Sequence, residues 1–119
     1  MTNNEFSNEV KKTLRKLPDE YKDQLDNVEI VIQDWPNETD LENDPNASPF
    51  SLLGLYQGIP KTEREAYASL PDKITIFKEP ILHAAANDED AKKIIRDTVL
   101  HELGHHFGLS DEELERTEK

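Results

Sequence analysis

A chain of 119 residues has room for one domain and a single compact core. Its 14 Lys+Arg against 26 Asp+Glu give a net charge of −12, which argues against nucleic-acid binding and against an anionic membrane surface, both of which call for a basic patch. With 34% hydrophobic and 7% aromatic residues the core is lean, and the absence of cysteine excludes disulfide scaffolds, thiolate catalysis, Cys-based zinc fingers and iron–sulfur sites. Met1 to Lys16 are polar and charged, without the apolar run of a signal peptide, and no stretch approaches the roughly 18 apolar residues of a membrane helix. These features set the expectation of a soluble, cytoplasmic protein whose acidity serves solubility.

Phe6, Val10, Leu14 and Leu17 recur in steps that form one stripe on a helix, with Glu9, Lys11, Lys12 and Lys16 facing water. Pro18 ends that helix, and Asp19 to Asp26 read as a short second one with Tyr21 and Leu25 inward. Val28 to Ile32 are β-branched at four of five positions and predict a strand. Residues 33–50, with Pro36, Pro45 and Pro49, read as a long irregular loop. The acids Asp40, Glu42 and Asp44 have the alternation of a calcium loop, but Pro45 stands where that loop needs glycine and no bidentate Glu follows. Leu52 to Tyr56 predict a second strand, whose Gly54 signals a bulge or a close backbone approach.

Lys61 to Leu70 read as a loop or short helix and Lys73 to Phe77 as a third strand, and Pro80 is expected to open a helical turn through Ala86. Asn87 or Asp88 then caps a long helix with Glu89 and Asp90 at its positive end and an apolar stripe of Ile94, Ile95, Val99 and Leu103. Gly108 is a suitable left-handed stop, and Ser110-x-x-Glu113 is a capping box for a last short helix. No internal repeat is present, so residues 1–119 read as a single domain.

One segment carries chemistry: His101-Glu102-Leu103-Gly104-His105-His106-Phe107-Gly108-Leu109-Ser110-Asp111. His101 and His105 lie four apart in a predicted helix, so their imidazoles share a face and can reach one zinc ion at about 2.0–2.1 Å each. Glu102 projects about 100° round the helix, where it can act on a water at the metal without ligating it. A shuffled chain of this composition contains HExxH about 1–2% of the time, and Gly at 108 with Asp at 111 cuts this to about one in twenty thousand.

The extended pattern HExxHxxGxxD resembles the metzincin branch of zinc peptidases, in which HExxHxxGxxH is usual and Asp sometimes takes the third ligand place. On that resemblance Gly108 turns the chain and Asp111 completes a His–His–carboxylate set with an open position for water. The alternative makes Asp111 a helix-start residue after the Ser110 cap, and both readings can hold together. More closely, residues 5–117 are similar to a small bacterial family of minimal zincin-like metallopeptidases. The shared features are the HExxHHFGxxD segment and a Leu-Gly-Leu-Tyr strand followed by Gly-x-Pro and Arg, here Leu53 to Tyr56, Gly58, Pro60 and Arg64. The resemblance implies a small α+β zincin-like domain, in which a mixed sheet of about three to four strands packs against the zinc-motif helix and the N-terminal helix. The chain departs from metzincins in having no methionine after the zinc helix, its only one being Met1.

The expected function is therefore zinc-dependent peptide-bond hydrolysis, with Zn2+ on His101, His105 and Asp111 and Glu102 as general base. Tyr56 and Arg64 are candidates for the oxyanion donor or for substrate positioning, beside a plain structural reading. The Leu53–Tyr56 strand offers an edge for an extended peptide. His106 points away from the ligand face and reads as a packing or supporting residue, His83 as a surface residue, and Phe107 and Leu109 as core. The rival reading is a zinc-binding module with little turnover, acting in partner recognition or stability. A peptide or protein substrate, no nucleic acid, no membrane and a monomeric state complete the expectations.

Overall fold

The computed structural model describes residues 1–23, 25, 27–58 and 71–107. Among the described residues eight elements follow in order: α1 (Asn3–Arg15), α2 (Asp19–Lys22), β1 (Val28–Gln33), α3 (Glu38–Glu42), β2 (Gly54–Gln57), β3 (Asp72–Phe77), α4 (Lys78–Ala84) and α5 (Asp88–His106). The strands form one mixed sheet in the order β1-β3-β2, with β1 parallel and β2 antiparallel to the central β3. This is a small α+β arrangement, with three strands among the described residues. Among the described residues no helix is long and apolar enough to cross a membrane.

The local chemistry explains each helix. Thr2 caps α1 by accepting the Glu5 backbone N–H at 3.1 Å, while its own N–H donates to the Glu5 carboxylate at 3.0 Å. That backbone donation, with the Thr2 side chain assisting, holds the Glu5 carboxyl below its ordinary range. Phe6 and Val10 are buried as the stripe predicts, and Thr13 joins them because its hydroxyl donates to the Glu9 carbonyl at 2.9 Å. Asn37 and Asp40 form a second capping box, which turns part of the expected 33–50 loop into the short helix α3. Asp40 is buried and its Oδ2 accepts from the Asn37 N–H and the Gln33 amide, so it serves this turn and not a calcium ion. The expected helix at 19–26 is a single turn, with Tyr21 and Leu25 partly buried against the core. Asn87 caps α5 through the Asp90 N–H at 2.9 Å, as the sequence indicates.

The core lies between the sheet and the pair α1 and α5. Phe6, Val10, Leu17, Ile74, Ile76, Ile81, Ile95, Val99 and Leu103 are its buried members, each contributing about 1.5–3 kcal/mol by leaving water. Alternation along β3 places Asp72, Ile74 and Ile76 on one face. The register adds Gly54, opposite Ile76, and Tyr56, opposite Ile74, to that face. α5 crosses it directly over β2. A Cβ at Gly54 would stand 2.8 Å from Thr98 Cγ2 and 3.0 Å from Glu102 Cγ, so glycine here answers a close approach of strand and helix.

Gly54→Ala is therefore expected to lower unfolding stability by about 1–3 kcal/mol through overpacking. Urea denaturation of the two proteins measures it, and unchanged stability would contradict the contact between β2 and α5.

Candidate metal centre and its support

His101 and His105 sit on consecutive turns near the end of α5, where the helix is held by Leu103 on its buried side. Their ring centres are 5.2 Å apart at 79°, so the structure brings the two predicted ligands together on one partly exposed face. Glu102 lies next to them over Gly54, its Oε2 3.5 Å from where a Cβ of that glycine would stand. His101 and Glu102 also line a cleft of about 410 Å³. Leu52, Leu53, Gly54, Ile94, Asp97 and Thr98 form its other walls. Among the described residues β2 pairs only with β3, and thus lies at an edge of the sheet beside this cleft.

Gly108, Asp111 and Arg64, with Leu109, the 61–70 segment and the Ser110 capping box, lie outside the described residues. Among the described residues no group of three or more metal-ligating side chains is assembled. The two imidazoles alone meet the donor chemistry of zinc, which takes neutral ring nitrogens readily.

Sequence reasoning missed Asp72. It is wholly buried, and its Oδ2 lies 2.7 Å from the Tyr56 hydroxyl, which donates to it, and 2.5 Å from His106 Nδ1. A carboxylate only accepts, so Nδ1 carries the proton of that bond. His106 thus supports the helix end instead of facing the ligand side, in keeping with its direction in the sequence. Tyr56 in turn stacks on His105, with ring centres 6.0 Å apart and an interplanar angle of 24°. Gly58 leaves the room this requires, since any Cβ there would overlap the Tyr56 phenol. The chain that runs His106–Asp72–Tyr56–His105 ties the last turn of α5 to the start of β3 and to β2. Tyr56 thus packs on His105, and its hydroxyl is engaged with Asp72. A signal for Asp72 existed: it continues by two the helix-facing positions Ile74 and Ile76, where a charge needs partners.

His83 is exposed, as expected, and clusters with the rings of Trp35 and Phe50, at ring-centre distances of 5.4 and 5.3 Å. Phe107 is partly buried and packs on Tyr21 at 5.0 Å.

Tyr56→Phe should cost about 1 kcal/mol in the native protein and nearly nothing in an Asp72→Ala background, because the hydroxyl then has no acceptor to lose. A double-mutant cycle in urea measures this coupling, and simple addition of the two losses would refute the shared bond.

A sequence model describing the zincin-like metallopeptidases matches residues 25–119. No curated protein matches the chain significantly.

Proposed function

The chain belongs to the zincin-like metallopeptidase family, and from that premise we propose that it hydrolyses peptide bonds with His101, His105 and Asp111 as zinc ligands and Glu102 as general base. The observation that carries this reading is the pair of imidazoles on one face of α5, with ring centres 5.2 Å apart and Glu102 beside them at the cleft. A zinc ion held there supplies Lewis acidity, polarising a scissile carbonyl and making water more acidic. The remaining steps belong to the chain's own residues. Glu102 takes a proton from the attacking water and passes it to the departing amine. The β2 edge gives an extended peptide a row of backbone partners. Leu52, Leu53 and Ile94 make part of the neighbouring cleft apolar, which suits an apolar substrate side chain.

The metzincin-type assignment rests on Gly108 and Asp111 in the extended motif. A monomer acting on a peptide or protein in the cytoplasm remains the proposed setting, from the lack of cysteine and the acidic charge.

The rival reading, a zinc-binding module with little turnover, draws on the lack of any methionine beyond Met1 to floor the site. Tyr56, stacked on His105 and anchored to Asp72, offers such a support from another residue type. Glu102 favours the enzyme as well, because a structural site needs no general base.

Glu102→Gln should keep its zinc and lose about 100-fold or more of the hydrolysis of a peptide library. Equal cleavage by the two proteins, or none by either at high concentration, would overturn the peptidase reading. Asp111→Ala should weaken zinc binding about tenfold or more in a competitive chelator titration. An unchanged dissociation constant would remove Asp111 from the ligand set.

A further inference from the structure

The charge of this protein is unevenly distributed. Lys12 and Lys16 of the α1 end and Lys92, Lys93 and Arg96 of α5 all line one groove of about 390 Å³ between the two helices. Five of the chain's 14 cations thus meet in a groove that holds two of its 26 acids, Glu9 and Glu89. The groove carries +5 − 2 = +3, and the remainder of the chain −12 − 3 = −15.

Internal pairing does not account for this cluster. Lys92 pairs with Glu89 at 3.4 Å, and Arg96 lies 3.7 Å from Asp97. Among the described residues Lys12, Lys16 and Lys93 make no ion pair or side-chain hydrogen bond. The negative end of α1 accommodates Lys12 and Lys16, but Lys92, Lys93 and Arg96 stand in the first half of α5, where a helix dipole gives cations no advantage. Like charges so gathered repel one another unless an anion compensates them.

The groove is separate from the candidate metal centre. Residues 89, 92, 93, 96 and 100 share one side of α5, whereas 94, 98, 101, 102 and 105 lie about 170° round the helix.

We propose that this groove binds a compact multivalent oxyanion of the di- or triphosphate class. Three features select that ligand. The volume falls within the roughly 300–1,000 Å³ of small-molecule sites. Leu17, Pro18 and Leu100 also line the groove and give an apolar body attached to the phosphates a surface to rest on. An extended polyanion such as nucleic acid would run onto the surrounding surface of net −15, whereas a compact one stays within about 8 Å of the five cations, inside one screening length.

The test uses the zinc-loaded full chain, titrated with inorganic pyrophosphate and separately with adenosine diphosphate at about 150 mM salt, and followed by amide NMR. The expected result is saturable, submillimolar binding that perturbs α1 and the first half of α5 and leaves zinc content unchanged, with the nucleotide at least as tight as pyrophosphate. The variant Lys12→Gln/Lys16→Gln/Lys93→Gln should weaken binding about tenfold or more, by the loss of three charge contacts. Without ligand it should unfold at the same or a higher urea concentration, since repulsion is relieved; a purely structural role for these lysines would instead lower it. Absence of saturation by about 10 mM of either ligand would overturn the proposal. So would equal affinity in the variant, perturbation confined to the His101–His105 face, or tighter binding of an oligonucleotide or acidic peptide.

Discussion

α5 rests its side chains directly on the backbone of β2, and the contact depends on the missing side chain at Gly54. Thr98 and Glu102 occupy the space a Cβ would take. This sets the height of the helix over the sheet. Ile95, Val99 and Leu103 bury their side chains from that position against Ile74 and Ile76. The same approach presents Glu102 and the two imidazoles beside an edge strand. Core and candidate site are thus fixed by one constraint, and a shift of α5 that opened the core would also move the chemistry.

The second tie is polar and acts at the far end of the same helix. Asp72 is wholly buried, and its cost is offset by the Tyr56 hydroxyl and His106 Nδ1. Satisfied in this way, a buried carboxylate specifies one arrangement of strand and helix, since any slip leaves it without donors. Tyr56 passes that order on to His105 through its stacked ring. A side chain near a helix terminus would otherwise share the fraying of the last turn. This chain resists that with one carboxylate, one phenol and a neighbouring imidazole.

Much of this was legible in the sequence for physical reasons. The α1 stripe, the three strands and the long α5 follow from periods that burial imposes, and the His101–His105 pair follows from the helical repeat. Gly54 signalled a close approach but not its partner, because Thr98 and Glu102 lie more than forty residues away. Asp72 stayed hidden for the same reason: its partners Tyr56 and His106 meet it only through the register of β2 and the direction of α5. α3 is hard to read in a proline-rich stretch because the acid of its Asn37–Asp40 capping box shares the alternation of a cation loop. Net charge was the least informative number. An overall −12 conceals five cations in one groove.

In the proposed function α5 presents two imidazoles, one turn apart, to a single zinc ion. X-ray absorption at the zinc edge, on untagged protein with its metal content determined in parallel, tests it most directly. The expected result is about one zinc per chain with two nitrogen ligands near 2.0–2.1 Å and the remaining shell made of oxygen. Well under one equivalent of zinc, or a shell without two imidazole nitrogens, would contradict it.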